Sequence, residues 1–220
     1  MPSERADLRR PRGPAAAGAG PTPRRQGLIG LGLAALIVGG WLALHIWGVF
    51  LHRWSAADWL VVPLAVGVQT WLCVGLFIVG HDAIHGSLVP GRPRWNAAIG
   101  QLCFGLYAVF SLRKLAAGHH AHHAAPGTAD DPDFDADHPR AFVPWFVAFF
   151  RRYFGLAEFA RLAALLAAYL FVLGAPPLNA AVFWGLPAIL SALQLFTFGT
   201  YLPHRHEEAD FADHHRARTL

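Results

Sequence analysis

The chain has 220 residues, 55% of them hydrophobic and only 15% charged, with a mean hydropathy of +0.35 and a formal net charge of +4. An ordinary soluble domain carries roughly 25% charged residues, so this composition requires long apolar segments. Arg5, Arg9, Arg10, Arg12, Arg24 and Arg25 all precede the first apolar run, where they read as a topogenic signal and argue against a nucleic-acid partner. Cys73 and Cys103 lie in apolar stretches, which disfavours both a disulfide framework and a thiolate metal site.

Residues 1–26, rich in Pro, Gly, Ala and Arg without periodicity, read as a disordered basic N-terminal tail. The apolar run that follows, Leu28 to Phe50, outlasts the roughly 7–15 residues of a signal-peptide core. Four stretches, 28–49, 59–80, 157–175 and 180–202, come close to the roughly 20 residues that cross a bilayer as a helix. Pro176-Pro177 supplies a sharp turn between the third and fourth. A weaker apolar stretch, 96–111, reads as a re-entrant or interfacial helix or as a fifth span, and 142–154 mixes aromatics with Arg151 and Arg152 like an interfacial segment. Residues 27–220 thus form one all-α integral membrane domain of about four transmembrane helices. Lys and Arg favour the cytoplasmic side, and the tail holds six arginines while the 50–58 connection holds only Arg53. Both termini and the 81–156 region are therefore expected in the cytoplasm, with every histidine cluster on that face of the inner (plasma) membrane, as a histidine-rich cap.

Thirteen histidines are the anomaly of the composition, and most cluster where apolar segments end. His81 and His85 of HDAIH stand at i and i+4, so one helix face presents both imidazoles. Asp82, about 100° round the helix, is placed to orient a ligand histidine. In HHAHH, His119, His122 and His123 share a face at i, i+3 and i+4, while His120 lies outside that arc. His204 is the first histidine beyond the last span, within reach of the others; a solvated charged tail explains His206, His214 and His215 equally well. His45 and His52 fall at the far end of the first span, about 30 Å away by bilayer thickness. Imidazole-rich, thiolate-free ligands suit iron, copper or zinc. A zinc hydrolase uses about three protein ligands, and six candidate histidines exceed one such site and point to two metals. A transporter needs polar groups through the membrane interior, where only Gln69, Thr70 and Gln194 lie. Trp71, Phe77, Trp95, Phe104, Tyr107 and Phe110 are candidates to line a slot for a lipid substrate.

An HxxxH followed by an HxxHH at the ends of membrane helices resembles the membrane fatty acid desaturase superfamily. Within it, HDAIHGSLVPGRP, HHAHHAAPGTADDPDFD and FGTYLPHR resemble the bacterial β-carotene 4-ketolases, over roughly residues 40–218. The resemblance implies a fatty acid desaturase-like fold, two iron ions held by His81, His85, His119, His122, His123 and His204, and supporting roles for Asp82, Asp130 and Asp131. It also implies a carotenoid substrate taken from the membrane lipid and oxidised to a ketone with O₂. The chain has no nicotinamide or flavin fingerprint, so an external electron-donor protein such as reduced ferredoxin is expected. The resemblance further implies a third HxxHH box some tens of residues after LPHR. The sequence reaches Leu220 without one, and His214-His215 cannot replace it because Phe211 stands three before His214. On this reading the domain is C-terminally incomplete. A related lipid hydroxylase or desaturase, or an inactive fragment, is the alternative.

Overall fold

The structure is a computed structural model that describes residues 22–205 and Ala217. Most of the expected tail, together with His206, His214 and His215, lies outside the described residues. Seven helical stretches, and no strand, are found among those described.

Helix α1 (Pro23–Leu51) begins four residues inside the segment read as tail, because Thr22 caps it: the Thr22 hydroxyl accepts the Arg25 amide, with Pro23 at the first helical position. Helix α2 (Asp58–Ile84) runs back and ends at the HDAIH motif. A turn, pinned by Asn96 side-chain bonds to both the amide and the carbonyl of Val89 (3.1 and 2.8 Å), leads into α3 (Pro93–Ala108). The weak apolar stretch at 96–111 is therefore a helix packed along α2 that then bends by 99° into α4 (Leu112–Ala124). Val109 turns the corner in the left-handed region (φ 54°), and Gln101 clasps it, donating to Phe110 O and accepting from the Leu112 amide. Helix α4 carries Arg113, Lys114 and four histidines, and α3 is long and apolar enough to cross a membrane only when the two are taken together.

Helix α5 (Phe142–Tyr153) bends by 78° into α6 (Leu156–Val172), and α7 (Pro177–His204) returns along the bundle. Helices α1, α2 and α7 are each long and apolar enough to cross a membrane alone; α6 reaches that length only together with α5. Outward-facing Leu, Ile, Trp and Phe are abundant, such as Trp59 at 73% and Phe171 at 85% exposed, as lipid-facing surfaces require.

Polar contacts fix the two ends of the bundle. At one end Trp54 Nε1 donates to Asn179 Oδ1 (2.7 Å), Asn179 Nδ2 donates to His52 O (3.0 Å), and the His52 ring lies 3.5 Å from Asp58. At the other, Gln26 donates to Ser87 O (2.8 Å), Lys114 pairs with the buried Glu158 (2.8 Å), and Tyr201 OH donates to Arg140 O (2.7 Å). All six histidines singled out as metal candidates belong to this second end, as does the start of α1. The core between is closely packed. Gly80 lets α3 approach α2 so nearly that a Cβ there would lie 2.6 Å from the Phe104 ring.

Candidate metal centre

The last turn of α2 and the last turns of α4 meet, and their imidazoles converge. His81 and His85 rings are 4.7 Å apart; His119 lies 4.5 Å from the first and 4.7 Å from the second. His123 packs 4.4 Å from His119 and 5.2 Å from His85. One nitrogen from each of His81, His85 and His119 falls within 4.8 Å of the others, and the Nε2 atoms of His85 and His119 are 2.7 Å apart. Two imidazoles on one metal ion at roughly 2.0–2.1 Å have nitrogens about 3 Å apart, so this donor set fits an ion. Burial and the neighbouring imidazoles push the His119 ring down to about 3, and His123 shifts the same way. Both are thus held neutral, as ligands must be.

His122 and His204 adjoin this group, with rings 5.0 Å apart and His122 5.7 Å from His123. His204 is buried, at the tip of α7. His122 Nδ1 lies 2.9 and 3.0 Å from the two oxygens of Asp131, which assigns its proton to Nδ1 and leaves Nε2 with a lone pair for a metal. Burial by itself would raise the Asp131 carboxyl. The His122 bond and the amides of Asp133 and Gly127 outweigh it and hold the carboxyl below the usual range. In the other direction, Asp131 raises His122 despite burial.

The other two carboxylates singled out from the sequence stand differently. Asp82 Oδ1 is 3.7 Å from His81 Nδ1, beyond hydrogen-bond range and half-exposed. Asp130 is exposed, and its carboxylate makes no hydrogen bond or ion pair among the described residues; only its amide is engaged, by Thr128. His120 points away, 6.3 Å from His119 and exposed. His45 is enclosed far from the cluster by Trp41, Trp184 and Tyr169, and His52 belongs to the opposite end.

Sequence reasoning passed over two residues. Asp133, two beyond Asp131, lies 4.0 Å from His122 Nδ1 and takes a short hydrogen bond from Tyr153 OH. Its signal was present in DDPDFD, but nothing in that string says which aspartate turns inward. Below the imidazoles opens a cavity of about 900 Å³. Phe77, Phe104, Tyr107 and Phe110 line it as expected, whereas Trp71 and Trp95, 71% and 58% exposed, face outward and do not. The opposite wall comes from α5, through Phe146, Phe149, Phe150 and Tyr153, and from the α7 face running from Pro177 to Thr200.

A helical membrane bundle that closes four to six imidazoles over an apolar cavity defines an integral-membrane oxidoreductase of the fatty acid desaturase type, compatible with a di-iron centre. The family model for fatty acid desaturases matches residues 57–162, the span that includes α2 to α5. The chain is 47% identical to a β-carotene ketolase of Paracoccus sp. (strain PC1), over 87% of this chain and 77% of that protein. It is 48% identical to the β-carotene ketolase of Paracoccus sp. (strain N81106 / MBIC 01143), over 83% and 74%. A β-carotene ketolase of Haematococcus lacustris is 36% identical over 94% of this chain and 70% of its own length. The chain belongs to the β-carotene ketolase family.

Proposed function

We propose that this chain oxidises the C4 methylene of β-ionone rings to a ketone, taking β-carotene through echinenone to canthaxanthin. It would use two iron ions, O₂ and an external electron donor such as reduced ferredoxin, with its site and both termini on the cytoplasmic face of the inner (plasma) membrane. The cavity is the observation that carries the reading. Its lining follows α7 from Thr200, beside the imidazoles, to Pro177 at the opposite end. At 1.5 Å per residue that is about 34 Å, close to the roughly 30 Å of a bilayer core. A rod-like polyene fits such a slot with one end ring under the metals, and the relatives named for β-carotene support the same substrate class.

His81, His85, His119, His122, His123 and His204 would hold the irons. The chemistry an iron pair supplies when bound is O₂ reduction and oxidation of a C–H bond. Each round places one atom of O₂ into the bond and releases the other as water, consuming two electrons and two protons from outside the chain. Two rounds at one carbon give a geminal diol, which loses water to leave the ketone. Asp131 keeps the His122 proton on Nδ1 throughout. The aromatic walls of α3 and α5 exclude water and fix which ring carbon faces the centre.

Expression in a bacterium that makes β-carotene is the direct test. A longer conjugated system reddens the pigment, and the product gains a ketone by mass spectrometry, with close to two irons per purified chain. Unchanged pigment beside intact protein, or a hydroxylated product alone, would overturn the reading.

A further inference from the structure

Among the described residues Asp133 is the only carboxylate that lines the cavity, and it does so beside the imidazoles. Hydroxyls of the wall are few among the described residues: Tyr107 OH is hydrogen-bonded to Ser191, and Thr200 and Tyr153 are the others. Asp133 is held through its carboxylate and through both backbone polar groups. Tyr153 OH donates to Oδ1, the Asp133 amide donates to Asp131 (2.8 Å), and Trp145 Nε1 donates to the Asp133 carbonyl (2.7 Å). Tyr153 is fixed in turn, since its carbonyl accepts Lys114 (2.7 Å) and its phenol fits only because residue 118 is glycine. A Cβ on Gly118 would lie 2.6 Å from the phenol oxygen. Oδ2 of Asp133 accepts no hydrogen bond among the described residues and faces His122 Nδ1 at 4.0 Å, on a side chain 14% exposed.

Resting on the ketolase reading, the chemistry makes a particular demand. After the first oxidation the ring carries a hydroxyl inside an apolar cavity, and an unpaired hydroxyl there is unfavourable. An acceptor for a hydrogen bond from that hydroxyl would hold the alcohol in the cavity until the second oxidation. We infer that Asp133 Oδ2 accepts a hydrogen bond from the hydroxyl of the half-oxidised ring, with Tyr153 as the positioning residue that aims the carboxylate. The pair thereby keeps the alcohol in place, so that the second oxidation falls on the same carbon and the product is a ketone.

The test compares Tyr153→Phe with the parent chain, adding Asp133→Asn and Gly118→Ala, which displaces the phenol. Products are quantified with O₂ and reductant present. Separately, a 4-hydroxylated carotenoid and β-carotene are bound without reductant, so that nothing turns over. Tyr153→Phe should raise the ratio of 4-hydroxy to 4-keto product about tenfold or more and weaken the alcohol's binding by a similar factor. β-Carotene binding and iron content should stay unchanged. That factor is what one hydrogen bond to a charged group is worth. Gly118→Ala should shift the ratio the same way. Unchanged ratio and binding in Tyr153→Phe would overturn the inference, as would iron loss from Asp133→Asn, which would make Asp133 a ligand. A parent chain that forms no ketone would instead sink the ketolase reading.

Discussion

The Asp131 carboxylate accepts one ring nitrogen and two backbone amides, and these donors tie a histidine and a loop to the same point. Asp131→Asn should therefore keep the fold but lower metal affinity by about 10–100-fold, measured by iron titration of the purified chain. Because the folded carboxyl is held below its ordinary value, its contribution to loop order is complete above about pH 3.9 and vanishes as pH falls through the lower folded value. Protease resistance of the 126–140 loop should follow that course in the parent chain and lose the dependence in Asp131→Asn. His85→Ala and His122→Ala should abolish both iron retention and ketone formation, whereas His52→Ala, at the opposite end of the bundle, should leave iron content unchanged. Full activity in either of the first two would remove that histidine from the ligand set. The histidine groups were legible in the sequence because i, i+3 and i+4 spacing fixes a common face whatever the tertiary structure. The Asp133–Tyr153 contact was not, since it joins residues 20 apart through an irregular loop. Trp71 and Trp95 misled for the converse reason: in a membrane a large aromatic is as well placed facing lipid as facing a core.

At the scale of elements, the bends position the site. Helix α5 looked interfacial from its arginines. Yet Phe142, Phe146, Phe149 and Tyr153 recur at helical spacing, and three of these four line the cavity while Arg151 and Arg152 stay exposed. The wide turns of α7 have an identifiable cause. Each is closed by a bond five residues long, from Leu186 N–H to Ala181 O and from Leu202 N–H to Thr197 O, immediately before Pro187 and Pro203. A proline ring collides with the carbonyl four residues earlier, and widening the preceding turn relieves that collision. The close approach of α3 to α2 is the most sensitive contact. Gly80→Ala drives a methyl into the Phe104 ring one residue before His81, and should cost about 1–3 kcal/mol in thermal unfolding together with part of the bound iron.

For the whole molecule, the two sets of end contacts place the start of α1, His81–His85, His119–His123 and His204 on one side, as the charge asymmetry of the sequence required. Their assignment to the cytoplasm can be checked with thiol labels. The native Cys73 and Cys103 are buried at 2% and 0% exposure and should not react. A membrane-impermeant reagent added to intact cells should modify Ser55→Cys and spare Ala129→Cys, and the reverse pattern would invert the proposed orientation. Spans α1, α2 and α7 were readable from hydropathy within a few residues, because lipid imposes length and composition together. The broken pairs were less so. A helix that turns back within the protein need not reach span length, and its bend is set by side chains such as Gln101 that carry no hydropathic signature.

The wide turn over Thr197–Tyr201 has a consequence for how this family tolerates change. It holds one residue more than regular α spacing would, so removing a single residue there would close it to an ordinary α turn with His204 still facing the other imidazoles, whereas adding one to a regular turn would rotate His204 by about 100° and shift it by about 1.5 Å. Within these five positions a one-residue deletion is expected to spare the aim of His204 and an insertion to destroy it, because what they contribute to the centre is a count.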